Sequence, residues 1–184
     1  MEKKLIYPWS REVIRALRSG DSVLITGTIY MARDAAHAKM TEDYRLTGKF
    51  PFDIKGQAIY YAGPAPAAPG KVIGPAGPTT SGRMDKFTPL LLDNGLYMMI
   101  GKGGRSMEVV DSMKKNGCAY LAATGGVAAL LSECIKKQEI ISYPELGPEA
   151  LRKLYVEDFP AIVIIDCDGN NLYETGKQKY RKNI

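Results

Sequence analysis

Seven short apolar runs, each followed or preceded by glycine or proline punctuation, recur along the chain at Ser22–Tyr30, Ala58–Ala62, Lys71–Ile73, Leu96–Ile100, Cys118–Ala123, Glu139–Tyr143 and Ala161–Asp166. Runs of this length with such boundaries read as strands. Between them lie stretches with helical spacing at Arg11–Arg18, Asp34–Tyr44, Ser106–Asn116, Val127–Lys137 and, briefly, Glu149–Leu154. Strand and helix alternate regularly in the second half, which favours parallel pairing, whereas the first half has strands with few helices between them. The expected class is α/β, with one mixed sheet or two sheets.

One stretch breaks this rhythm. Gly63-Pro-Ala-Pro-Ala-Ala-Pro-Gly70 carries three prolines that remove backbone donors and fix φ, so it is expected as a stiff loop rather than helix or central strand. Pro89 admits two readings, opening a helix over Leu90–Asn94 or kinking one begun at Met84. No repeat of 20–50 residues is present. A chain of 184 residues with 45% apolar and 24% charged residues is not a disordered one. Burying roughly 70% of its unfolded surface, it needs no metal or disulfide to fold. A single domain over residues 1–184 is expected.

There is no run of about 18 apolar residues, and the opening MEKKLIYPWSREVIRALRSG lacks the apolar segment of a secretory signal. A cytoplasmic protein without a membrane segment is the expectation. Net charge is +5, a sign that suits nucleic acid only when the charge covers one face. Here Lys177, Lys179, Arg181 and Lys182 fall in the last eight positions with no acid among them. The excess therefore belongs to a basic tail at 177–184, read as a solvated, partly frayed terminus, and no nucleic-acid partner is expected.

Cys118, Cys134 and Cys167 form no CxxC pair and have no neighbouring histidine. Three thiolates suffice to hold an iron–sulfur cluster with one open iron. Yet Cys118 opens an apolar run, Cys134 lies in an amphipathic stretch and Cys167 closes another apolar run, so buried structural thiols are expected and no metal ligand is assigned.

The chemistry is concentrated after the strands. Arg33 follows the first run, Thr79-Thr80-Ser81-Gly82-Arg83 follows the third, and Gly101-Lys102-Gly103-Gly104-Arg105 follows the fourth. Loops beyond strand carboxyl ends gather into a crevice in open parallel sheets, so Arg33, Arg83 and Lys102 are expected to converge. The glycines let backbone approach a ligand closely, and Thr79, Thr80 and Ser81 add hydroxyls. A compact dianion is the implied ligand, since an arginine fork grips a carboxylate through two bonds. The plainer reading stays open: tight turns, one capping hydroxyl and cations pointing into solvent. No P-loop or GxGxxG pattern follows a strand, which argues against a nucleotide phosphate. His37, four residues after Arg33, shares a helical face with it and is a candidate acid or base, or simply a packing residue.

At these residues the chain resembles the β subunit, or carboxy-terminal domain, of class I iron–sulfur hydro-lyases, the fumarate hydratases and L-tartrate dehydratases. The segments that carry the resemblance are GDSVLITGTIYMARDAAHAKM, IYYAGPAP, GPAGPTTSGRMDKFTPLLLDNG, MMIGKGGRS and FPAIVIIDCDGNNLY. It implies a three-layer β/β/α swivelling domain with mixed sheets. It also implies a partner α subunit that holds a [4Fe-4S] cluster on its own cysteines, with this chain inactive alone. Carried over residue by residue, it implies substrate binding by Arg33, Thr79, Thr80, Ser81, Gly82, Arg83 and Lys102. Thr79 is the implied base and His37 a second candidate for proton transfer. An ordinary hydroxyl is a poor base, and nearby cations favour its ionised form. RDAAH and GRMD resemble the fumarases more than the tartrate dehydratases. Reversible hydration of fumarate to (S)-malate is the expected activity, L-tartrate dehydration the alternative, and a non-catalytic small-anion-binding domain the rival of another class. A contact between two β subunits is plausible on the same resemblance.

Overall fold

The computed structural model describes residues 2–124 and 126–181. In chain order the elements are β1 (Lys3–Ile6), α1 (Arg11–Arg15), β2 (Ser22–Met31), α2 (Asp34–Thr47), β3 (Ala58–Tyr60), a 3-10 turn (Ser81–Met84), α3 (Thr88–Asp93) and β4 (Met98–Gly101). There follow α4 (Met107–Asn116), β5 (Ala119–Ala122), α5 (Ala128–Glu133), β6 (Ile135–Ser142), a second 3-10 turn (Pro144–Glu149), β7 (Leu151–Ile165) and α6 (Leu172–Tyr180).

The strands form one mixed sheet in the order β1-β2-β3-β4-β5-β7-β6, and a further pairing of β2 with β7 closes the run β2-β3-β4-β5-β7 on itself. Strands β1 to β5 pair parallel, while β7 runs antiparallel to β2, β5 and β6. The long β7 makes closure possible: one edge pairs with β2 from Arg152 to Ile162, while the other takes β6 along Leu151–Val156 and then β5 along Ile162–Ile165. At Gly27 the β2–β7 register shifts. A Cβ there would lie 2.4 Å from that of Tyr7, and φ is +125°, so only glycine lets the chain leaving β1 cross β2 so closely.

Side-chain alternation along the strands divides the interior in two. Met31, Ala58, Tyr60, Met98, Ile100, Ala119 and Leu121 face the inside of the closed sheet. There Tyr60 of β3 meets Phe159 of β7 edge-on at 5.1 Å, across the interior rather than along the sheet. Tyr30, Ile59, Tyr61, Met99 and Tyr120 face the other way, toward helices that contribute Ala36, Met40, Leu91, Val109 and Met113. The β/β/α layering is thus made by one sheet folded over, not by two separate sheets.

Several local expectations are corrected. Lys71–Ile73 is not a strand: Pro75 and the prolines before it cannot donate to a ladder, and Ile73 plugs the inner core instead. Helix α5 stops at Glu133, and Ile135–Lys137 opens β6. The stretch expected as a helix at Glu149–Leu154 is mostly the start of β7, whose buried positions Leu151 and Leu154 are three apart and imitate helical spacing. Strand β1, a four-residue edge with two lysines, was not anticipated, nor was α6, capped by Asn171 accepting from the Tyr173 N–H. Positions 177–180 of the expected tail continue α6, Arg181 is exposed, and 182–184 lie outside the described residues. Pro89 sits in the first turn of α3, where its missing N–H costs nothing. No helix among the described residues is long and apolar enough to cross a membrane.

Candidate active site

Strands β2, β3 and β4 lie side by side and parallel, so their carboxyl ends share one rim. Arg33 follows β2 directly and is the N-cap residue of α2 in extended conformation. The Thr79–Ser81 segment is stitched between the ends of β3 and β4. The Thr79 N–H donates to the Tyr61 carbonyl at 2.7 Å, and the Ser81 N–H donates to the Lys102 carbonyl at 2.8 Å. Arg83 follows within the 3-10 turn, and Lys102 follows β4. Three loops distant in sequence therefore meet because three parallel strands end together.

The convergence of two cations is direct. Asp34 lies 2.7 Å from Arg83 Nε through Oδ1 and 3.3 Å from Arg33 Nε through Oδ2, so a single carboxylate spans both guanidinium groups. Glu149 lies 3.5 Å from Arg33 Nε and accepts from the Ala35 N–H at 2.9 Å, satisfying a free donor of the first turn of α2. Burial raises the Asp34 carboxyl's pKa, but its own backbone N–H, Arg33 and Arg83 together hold it below the ordinary aspartate value. Arg83 is half exposed and Arg33 about a quarter exposed, with side-chain accessibilities of 50% and 26%. Lys102 is exposed, and no acid lies within 4.0 Å of its ammonium among the described residues. Thr79 is partly exposed, while Thr80 and Gly82 are exposed.

Ser81 is different. Its side chain is fully buried, its Oγ accepts from the Lys102 N–H at 3.0 Å and lies 2.9 Å from the Tyr120 hydroxyl, which is 2.8 Å from the Gly103 carbonyl. The single phenolic proton serves the carbonyl, so the Ser81 hydroxyl donates to the Tyr120 oxygen. Gly101 makes room for this arrangement: a Cβ there would stand 2.0 Å from Ser81 Oγ. The Ser81 hydroxyl thus has its proton and one acceptor site engaged inward, toward Tyr120 and the Lys102 N–H.

His37 is enclosed as well. It shares the α2 start with Arg33 as expected, but its ring is fully buried, donates through Nδ1 to the Arg33 carbonyl at 2.9 Å, and packs edge-on to Tyr61 at 5.2 Å. Burial, with a further push from Arg105, lowers its pKa to about 4, so the ring is neutral. Its Nε2 has no hydrogen-bond partner among the described residues. The neutral ring lies beneath the rim and holds the backbone from which Arg33 projects.

The cysteines lie elsewhere. Cys118 precedes β5 at the amino end of the parallel strands, buried, with its thiol donating to the Leu96 carbonyl at 3.1 Å and its pKa pushed up to about 12 by burial. Cys167 follows β7 at that same end, its thiol 3.5 Å from the Arg15 carbonyl, and Cys134 ends α5. No group of three or more His, Cys, Asp or Glu side chains among the described residues is arranged to hold a metal ion. Residues missed in the sequence are Asp34, Asp85 and Arg105. Only Asp34 carries a local signal, its place directly after Arg33.

Known proteins resemble this chain over most of its length. The family described as Fumarase C-terminus matches residues 3–176. The anaerobic class I fumarate hydratase of Escherichia coli (strain K12) is 47% identical over 152 residues, 82% of this chain and 28% of that protein. Fumarate hydratase 2 of Leishmania major is 44% identical over 156 residues, 84% of this chain and again 28% of that protein. The chain thus spans less than a third of these two relatives. A chain of Methanocaldococcus jannaschii, provisionally named L(+)-tartrate dehydratase subunit beta, is 38% identical over 180 residues, 94% of this chain and 92% of its own length. With the family's pattern running across both the strands and the rim they support, the chain belongs to the fumarase C-terminus family.

Proposed function

We propose that this chain is the β-type component of a class I hydro-lyase that reversibly hydrates fumarate to (S)-malate, working with a partner α chain that carries the [4Fe-4S] cluster. The observation that carries the reading is the Asp34 carboxylate between Arg33 and Arg83, because it marks where a substrate carboxylate is received. Both contacts are made through Nε, which leaves the paired Nη groups of each fork as donors for a ligand. Lys102, on the neighbouring strand end, supplies a third cation.

The thiols of this chain do not suit the cluster: Cys118 and Cys167 lie at the strand ends opposite the cations, and Cys118 is held protonated by its surroundings. The cluster is accordingly assigned to the partner, and this chain's part is to bind, orient and move a proton. In dehydration the weakly acidic proton at C3 of malate passes to the ionised Thr79 oxygen while the C2 hydroxyl departs as hydroxide, which the partner's cluster, when present, would receive as a Lewis acid; in hydration both are returned. Thr79 is fixed by its N–H to the Tyr61 carbonyl at the end of β3, between the strand ends that carry Arg33 and Lys102, whose charge favours its ionised form. Arg33, Arg83 and Lys102 stabilise the negative charge that develops on the adjacent carboxylate as that proton leaves. Thr80 and Gly82 offer a hydroxyl and a backbone donor beside them. Ser81 shapes the turn.

A second reading, L-tartrate dehydration, is favoured by the full-length match to the Methanocaldococcus jannaschii chain. The deciding experiment co-expresses the chain with a cluster-bearing α-type chain, reconstitutes iron and sulfide without oxygen, and follows fumarate absorbance from malate alongside oxaloacetate formation from L-tartrate. Malate turnover supports the first reading and tartrate turnover alone supports the second. Saturable binding of dicarboxylates with neither reaction leaves an anion-binding domain.

A further inference from the structure

We propose that Arg105 is a positioning residue: its buried guanidinium clamps the turn carrying Arg83 onto the loop carrying Lys102, so that both cations are presented to one ligand. This rests on the reading of the rim as a dicarboxylate site. The side chain of Arg105 has no exposure at all, and its Nε lies 2.7 Å from Asp85 Oδ1. Asp85 is the residue that ends the Ser81–Met84 turn. Its other oxygen accepts from the Ser106 N–H at 2.6 Å, so one carboxylate ties the turn to the start of α4 and to the Lys102 loop together.

Every further contact of the guanidinium bears on the same junction. Nη2 donates to Thr88 Oγ1 at 2.7 Å, just beyond the turn, and Nη1 lies 3.3 Å from Met99 Sδ on β4. Its carbon stands 5.4 Å from the centre of the Tyr61 ring and 5.1 Å from that of Tyr120. Tyr61 is the residue whose carbonyl holds Thr79, and Tyr120 is the one whose hydroxyl meets Ser81 and Gly103. A single planar cation thus touches the supports of both the Thr79–Arg83 segment and the Lys102 loop.

Two features separate this role from direct catalysis or bulk stability. With no exposure, Arg105 reaches no ligand, and with Asp85 beside it the pair adds little net charge to the rim. A buried ion pair is a poor source of stability, because desolvation offsets most of the attraction, whereas it is directional and fixes the geometry of the segments it joins. Lysine would keep the charge without the fork, so it does not replace arginine here.

The test begins with amide hydrogen exchange on the full chain carrying Arg105→Lys or Arg105→Met, with Asp85→Asn as the near-isosteric alternative where a variant fails to fold. The Ser81 and Lys102 N–H groups are expected to exchange at least tenfold faster, while Ile29 and Leu154 in the closed sheet stay within twofold of the parent. Unchanged protection at Ser81 and Lys102 overturns the proposal, as does uniform loss across the sheet, which marks a merely structural residue. In the parent assembly with its cluster-bearing partner, the same substitutions are expected to raise the KM for malate at least tenfold per intact cluster. A parental KM in the folded, cluster-loaded variant also overturns it. If the parent assembly acts on no dicarboxylate, the functional reading fails, and hydrogen exchange still decides whether the clamp exists.

Discussion

Alternate residues of β3, β4 and β5 look into two interiors of different chemistry. Inside the closed sheet, Ala58, Tyr60, Met98, Ile100 and Leu121 meet Leu154, Val156 and Phe159, and the only buried polar contact of Tyr60 is its hydroxyl donating to the Ala76 carbonyl at 2.6 Å among the described residues. Beneath the helices, by contrast, His37, Ser81, Thr88 and Arg105 are enclosed among Tyr61, Met84, Phe87 and Tyr120. Burying polar groups costs free energy unless each finds a partner. Apart from His37 Nε2, these four find theirs in the backbone and side chains of the rim loops and the elements beside them. The apolar interior holds the strands; the polar one holds the loops.

The largest expected effect tests the first half of that contrast. Phe159→Ala removes a fully buried ring from the closed sheet and should cost about 3–5 kcal/mol of stability, read as a shift of the urea midpoint. In the fraction that remains folded, the KM for malate should be unchanged, since no rim loop rests on Phe159. A changed KM would mean that the two interiors are not separable.

His37 gives the next effect and probes the polar interior through pH. Its imidazole takes up a proton near 6.5 ordinarily but only near 4 when folded. Between those values the unfolded chain binds more protons, so stability falls as pH drops through that window and is unaffected above it. The contribution is about 3 kcal/mol at most. His37→Asn keeps a donor toward the Arg33 carbonyl without titrating. It should flatten the stability profile between pH 6.5 and 4 in urea titrations; an unchanged slope would assign the acid sensitivity to carboxylates instead.

This division also explains what could be read in the sequence. Strands β4 and β5 were legible because nearly every position is buried and the runs are continuous, β2 because its buried and half-buried positions alternate, and the cations that follow β2 and β4 because they stand just beyond those strands, with glycines marking the Lys102 loop. The closure of the sheet was not legible. It depends on β7, where the three-residue steps from Leu151 to Leu154 and from Val156 to Phe159 disguise the alternation, with Asp158 at φ 47° between the latter pair. The roles within the site divided in the same way. Arg33, Arg83 and Lys102 could be named from local pattern, whereas the inward turn of Ser81 and the enclosure of His37 follow from Gly101, Tyr61 and Tyr120, which come from other strands. Arg105 looked like one more loop cation because nothing local to it announces Asp85.

At the rim itself the effects fall on function rather than on folding. Arg83→Ala in the assembled enzyme should lower kcat/KM for malate roughly 10- to 150-fold, the equivalent of a charge-assisted hydrogen bond worth about 1.5–3 kcal/mol. Because half of its side chain is exposed, the thermal midpoint should move by less than about 2 °C. A large fall in the midpoint would show that the rim and the polar interior beneath it form one stability unit.

The smallest expected effect separates orientation from charge. Asp34→Asn removes a negative charge from between two arginines, which on electrostatics alone tightens the binding of a dianion. It also loses the ion pairs at 2.7 and 3.3 Å that hold both forks at a fixed spacing, which loosens the site. For a partly exposed pair each term is about 1 kcal/mol or less, and orientation should prevail, because two flexible side chains otherwise sample many rotamers. The KM for malate should therefore rise about three- to fivefold, with the salt dependence of KM steepened by the added net charge. A fall in KM would mean that Asp34 competes with substrate more than it prepares the arginines for it, and the carboxylate between them would then be a gate rather than a guide.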